Sequence, residues 1–236
     1  TDLDTAVAAM LSTVAALPTR PETSPAADPA AVRPPAPNPE PRRFTHQGDP
    51  SQAYAMIGWS TLGGRDRRKD RRALAMAGNL FQARLFDRLR EAEGATYSPG
   101  AAHTSSETFS SWGIFYASAE VRPENVPTFF RAAREIIADL AARPVSAEEF
   151  ARAHNPVVRG VERRVATNAY WIEALENWID SPEDIEAVRT YIEEYRSMTP
   201  EDVQRALATY VTDEGDWSMV VLPARAAAAR EGNGDR

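Results

Sequence analysis

Cysteine is absent from the 236-residue chain. That excludes a disulfide scaffold, a thiol nucleophile, a thiolate zinc site and an iron–sulfur cluster. It leaves the compartment open, because a chain without thiols tolerates reducing and oxidising surroundings equally. Lysine is nearly absent too: Lys69 is the only one, so positive charge rests on arginine, which reads as a genomic composition bias. Histidine is limited to His46, His103 and His154. No apolar run approaches the roughly 20 residues that span a bilayer. With a net charge of −7, general attraction to nucleic acid or anionic lipid is not expected. The chain opens at Thr1 with no basic segment ahead of an apolar one, so a removed leader or excision from a longer polypeptide is expected. The remaining composition, 43% hydrophobic and 26% charged, is that of a soluble globular protein.

Proline is unevenly placed, with ten of the 18 falling between Pro18 and Pro50. Ahead of them, Val7, Met10, Leu11, Val14 and Leu17 recur at helical spacing, and Pro18 stops the pattern. So short a helix cannot bury its stripe alone and must dock on something. Residues 21–41 carry almost no large apolar side chain and read as an extended linker. The compact domain is expected to begin near Ser51. Gln52 to Ser60 reads as a strand that ends at Gly63-Gly64, and a helix from Asp66 to Glu93 follows, with Gly94 as its cap. Two extended segments come next, Thr96 to Ser105 and Thr108 to Val121, the second expected to be covered on both faces.

From Pro123 to Ala142 a regular apolar stripe predicts a helix. Ser146 with Glu149 forms a capping-box pattern, and Thr199-Pro200-Glu201-Asp202 opens another helix. Between them the helical pattern is expected to break at Pro156 and at Ser181-Pro182. Asp216 to Leu222 reads as the closing strand, and the tail beyond Arg225 as disordered. This order defines an α+β two-layer sandwich, a mostly antiparallel sheet with helices on one face.

The chain carries no local catalytic signature. The three histidines fall in separate elements and none sits in HxxEH or HxxH. His103 and Glu107 lie about 13 Å apart in extended chain, too far to share a metal. No GxSxG occurs, and Gly63-Gly64 reads as a turn, not a phosphate loop. The run Arg65 to Arg72 holds six basic residues and two acids. It reads as a solvated helix face or as a contact for an acidic partner surface. Ten acids between Glu173 and Asp202 read as a solvated acidic face.

One stretch is more specific. Ala77 to Ala101 reads AGNLFQARLFDRLREAEGATYSPGA. With Arg84-Leu85-Phe86, Leu89-Arg90-Glu91, Gly94 and Tyr97-Ser98 in order and spacing, it resembles the pitrilysin (insulinase) family of zinc metallopeptidases. The segments TFSSWGIFYASAEVRPENV and DWSMVVLPA fit the same domain, though many relatives are richer in glycine near Ala77-Gly78-Asn79. The resemblance implies the processing-peptidase/LuxS-like metallohydrolase fold. It also implies that residues 1–20 are the last helix of a preceding domain and 21–45 a linker, with 46–225 the C-terminal domain and 226–236 a disordered tail.

Such proteins pair a zinc-bearing half with a homologous half that has lost the zinc motif. Lacking HxxEH, this chain resembles the second half, with no metal of its own and zinc expected on the homologous half, whether covalently joined or a separate subunit. The family uses an Arg and a Tyr seven residues apart to hold substrate over that zinc, and here these positions are Arg90 and Tyr97. A guanidinium and a phenol can donate to a peptide carbonyl and to the oxyanion that develops from it. A peptide substrate is therefore expected, without nucleic acid or membrane insertion. Bacterial relatives point to the periplasm, with the cytoplasm as the alternative. An inactive scaffold of the same family and a free-standing hydrolase with an unrecognised Ser or Asp site stay open.

Overall fold

The structure is a computed structural model describing residues 2–19, 32–38, 40–93, 99–175, 183–211 and 215–224. Among these residues five strands form one sheet: β1 (Arg42–His46), β2 (Ala53–Thr61), β3 (Gly100–Ser105), β4 (Gly113–Val121) and β5 (Asp216–Pro223). Their order is β1-β5-β2-β4-β3, with β1 parallel to β5 and every other pair antiparallel. The helices are α1 (Leu3–Ser12), α2 (Arg68–Glu93), α3 (Val126–Ala142), α4 (Ala147–Val165), α5 (Asn168–Leu175), α6 (Glu183–Arg189), α7 (Tyr191–Arg196) and α8 (Pro200–Tyr210).

Strand alternation sets the layers. Ala55, Ile57 and Trp59 of β2 face the helices together with Phe115, Ala117 and Ala119 of β4 and Val220 and Leu222 of β5, and all are buried. Against them lie Leu74, Ala77, Phe81, Leu85 and Leu89 of α2 and Phe129, Ala133, Ile136 and Leu140 of α3. Both helical sets follow the 3–4 spacing that puts one stripe on the sheet. Entry into α2 depends on Gly64, whose φ of 91° lies where side chains are strained. At the other face, the Trp217 ring packs over Gly58, where a Cβ would fall 2.7 Å from it.

The sheet begins earlier than residue 46. Arg42–His46 is an edge strand, although its sequence shows one apolar side chain among five residues. Pairing with β5, not hydrophobic patterning, makes it a strand. Part of the stretch read as a spacer is also attached to the domain. Ser218 N donates to Asn38 Oδ1 (2.9 Å), and Ser111 Oγ donates to the Val32 carbonyl (2.8 Å). β4 starts at Gly113, because Ser106 and Trp112 close a loop through Ser106 N to the Trp112 carbonyl (3.0 Å). Its helix-free face is only half-buried at Ile114, Tyr116 and Ser118, so it is not covered on both sides.

Pro156 does not interrupt α4. It sits on the exposed side, where water can take the carbonyl that its missing N–H leaves free. Ser146 caps α4 by accepting from Glu149 N, but the Glu149 side chain turns to Arg84 instead of closing the box. Thr199 and Asp202 do close theirs at α8. No residue of α1 is buried, and its stripe (Val7, Met10, Leu11) is exposed. The expected Gly94 cap, the break at Ser181-Pro182 and the tail 226–236 lie outside the described residues.

Candidate functional site

The motif-bearing part of α2 divides by role. Leu85 and Leu89 point into the core. Arg84 donates from Nε and Nη2 to Glu149 (2.6 and 3.0 Å) and from Nη1 to Asp139 (2.7 Å), so one guanidinium ties α2 to α3 and α4. The Arg84 hydrogen bonds hold the Glu149 carboxyl below its usual range. Arg90 is different. It occupies the last turn of α2, where a cation complements the helix dipole, and its side chain is exposed. Buried Leu89 beside it fixes the backbone from which it projects. Tyr97 lies outside the described residues, which resume at residue 99, just ahead of β3.

The two charge runs meet each other, which the sequence reading did not join. Arg68 Nη2 donates to Glu194 Oε1 (3.1 Å), and Arg72 donates to Glu194 Oε2 and to the Ala187 carbonyl (3.2 Å). Burial raises the Glu194 carboxyl, but Arg68, Thr190 and Arg72 outweigh it and hold the group below its usual range. Arg72 is 9% exposed and stacks on Tyr191, 4.7 Å from guanidinium carbon to ring centroid. The expected solvated helix face is thus divided: Arg72 is buried and Arg68 and Arg71 half-buried, while Asp66, Arg67 and Lys69 stay exposed. Arg68, Arg71 and Arg72 border a cavity of about 720 Å³ shared with β3, α5 and α7. Its signal was present as i, i+3, i+4 spacing in Arg68, Arg71 and Arg72, matched by Tyr191, Glu194 and Tyr195.

The three histidines have separate structural roles. His46 Nδ1 accepts from Gly48 N (3.0 Å) and Nε2 donates to the Gln52 carbonyl (2.9 Å). His154 Nε2 donates to the Tyr195 carbonyl (2.6 Å) while its ring stacks on Phe150. His103 Nε2 pairs with Thr61 Oγ1 (3.0 Å). Among the described residues no three His, Cys, Asp or Glu side chains are grouped to hold a metal.

Burial first, and the Arg71 charge second, push His103 from 6.5 down to about 4. The unfolded chain therefore takes up a proton on this ring before the folded one does. Stability is intact above pH 6.5 and falls as pH drops through 4, by up to about 3 kcal/mol. Urea denaturation of His103→Asn across that range is expected to show a correspondingly shallower acid loss than the parent chain. An identical pH dependence would refute a neutral, half-buried His103.

The described residues thus form an α+β sandwich whose core-anchored α2 ends in an exposed arginine. A family profile described as the Peptidase M16 inactive domain matches residues 1–157, and the chain belongs to that family. No curated protein sequence matches it. Among solved structures, it is similar to PqqL, a periplasmic protease from Escherichia coli, at TM-score 0.70 and 16% identity over 94% of this chain and 24% of that one. A peptidase M16 inactive domain from Pseudomonas fluorescens gives 0.68 and 19%, over 93% of this chain and 50% of that one. A mutant of the ferredoxin protease FusC in complex with Arabidopsis ferredoxin gives 0.63 and 14%, over 77% of this chain and 20% of that one. The chain thus spans half or less of each, and at these identities the likeness is one of fold.

Proposed function

We propose that the chain is the zinc-free, substrate-binding domain of a pitrilysin-like metallopeptidase, with Arg90 and Tyr97 donating hydrogen bonds to a peptide held at a homologous half. Membership of the inactive-domain family carries this reading, and the exposed Arg90 at the end of α2 agrees with it. The described residues do not fit a zinc ion, since the histidines stand in separate elements with other partners. Zinc belongs, in this reading, to the homologous half. In this reading the chain contributes a guanidinium and a phenol, both able to donate to a carbonyl oxygen that gains negative charge. FusC in complex with ferredoxin supports protein or peptide substrates, and PqqL supports the periplasm as the compartment. No described helix is long and apolar enough to cross a membrane.

The test is reconstitution. Peptide cleavage and zinc content are measured for this chain, for the zinc-bearing half, and for the two together. Cleavage is expected only from the pair, with zinc on the other half. One tightly held zinc per copy of this chain, or cleavage by it alone, overturns the proposal. A stable pair that cleaves nothing identifies the domain as a scaffold instead.

A further inference from the structure

The cavity between the start of α2, β3 and α5 to α7 has no role in the reading above. It lies at the other end of α2 from Arg90, about 27 Å away along the 18 residues that separate Arg72 from Arg90. Arg68, Arg71, Arg72 and Arg164 line it. Their partners are Glu194, Glu107 and Glu173, with Glu194 serving both Arg68 and Arg72. Among the described residues these four cations face three carboxylates, an excess of one positive charge, in a protein whose net charge is −7. His103, on the same wall, is kept neutral by its burial. The Arg68 Nε is buried and has no hydrogen-bond partner among the described residues.

Size and lining narrow the ligand. About 720 Å³ is far more than a small inorganic ion needs, and lies in the range of organic ligand sites. Tyr170, Tyr191 and Tyr195 give the walls aromatic faces, and burial raises Tyr170 and Tyr195 so that both stay protonated donors. A single excess charge matches a carboxylate better than a phosphate dianion. The guanidiniums are not equally committed. Arg72 is buried against Glu194 and the tyrosine rings, whereas Arg71 pairs at 2.9 Å with Glu107, whose side chain is 53% exposed on the loop after β3. Glu107 thus occupies at Arg71 the place that an incoming carboxylate would take.

We propose that this cavity binds a carboxylate of a peptide, either the C-terminal one or an acidic side chain, by displacing Glu107 from Arg71. The choice of a peptide as carrier rests on the function proposed above; the cationic site does not. Fluorescence anisotropy on the full chain tests it with an acetylated Ala/Tyr peptide in three forms: free C-terminal acid, C-terminal amide, and the amide with one internal glutamate. One acidic form is expected to bind about tenfold tighter than the neutral amide, and which one tells the terminal from the side-chain source. Arg71→Gln abolishes that preference. Glu107→Gln, on an exposed loop, strengthens binding of the acidic form by removing its competitor. Arg90→Ala weakens all three forms alike and keeps the preference. No binding by any form, equal binding by all three, or a preference unmoved by both Arg71→Gln and Glu107→Gln overturns the assignment. A preference that behaves as expected beside a silent Arg90→Ala counts against the Arg90 role and leaves the cavity standing.

Discussion

Replacing Arg90 with alanine, or Tyr97 with phenylalanine, is expected to lower kcat/KM of the assembled peptidase about 100-fold, the scale of losing one donor to a developing oxyanion. Zinc content and Tm should stay at parent values. Arg90 is exposed at a helix end, so its loss removes no core contact. Tyr97→Phe removes a single hydroxyl. The effect should fall mainly on kcat, with a smaller rise in KM, because the hydrogen bonds already hold the bound carbonyl and strengthen as charge builds on its oxygen. Arg84 supplies the contrast, six positions earlier on the same helix. Its three charged hydrogen bonds are partly buried, so Arg84→Ala should lower unfolding free energy by about 2 kcal/mol and leave turnover per folded molecule unchanged. Steady-state kinetics beside urea denaturation separates the two. Unchanged kinetics in both Arg90→Ala and Tyr97→Phe would reject their assigned roles.

That contrast also marks what could be read from the chain alone. Strands β2 and β5 and helices α2, α3 and α8 were legible because each carries its own local pattern or cap: apolar and β-forming residues dense over Gln52 to Ser60, a 3–4 stripe in Val126–Ala142, the Thr199/Asp202 box. β1 was not, because Arg42–His46 owes its conformation to β5, about 175 residues away, and local propensity carries no trace of such a partner. Pro156 misled for a related reason: a proline breaks a helix only where its lost hydrogen bond cannot be replaced, and exposure is a property of the fold.

The site shows the same boundary. The place of Arg90 in a spaced motif was legible, and its role there is the one proposed. The cationic cavity was not, since Arg71 and Arg72 acquire their meaning from Glu107, Tyr191 and Glu194, which the fold delivers from a loop and a short helix. Charge runs read singly look like solvated faces. Opposed, they desolvate one another, and the small imbalance between them becomes the informative quantity.

Phe81→Ala is expected to be the most damaging single truncation, lowering unfolding free energy by about 4 kcal/mol and Tm by about 12 °C. Phe81 is fully buried in the middle of α2, stacked on Phe115 at 5.8 Å and edge-on to Trp59 at 6.3 Å. Truncation removes the ring that joins helix to sheet and leaves a cavity walled by two rigid aromatics that cannot collapse into it. The consequence reaches function because α2 carries Arg90 at one end and Arg68, Arg71 and Arg72 at the other. A helix loosened at its centre misplaces both sets of donors, and displacements of about 1 Å suffice to cost most of an oriented interaction. Phe81→Leu, which refills part of the space, should recover about half the stability and most of the peptide affinity. Urea midpoints with an unchanged m-value would place the loss in the native core. A deficit below about 1 kcal/mol would mean that α2 is anchored elsewhere, and that the rigidity asked of Arg90 does not come from this aromatic trio.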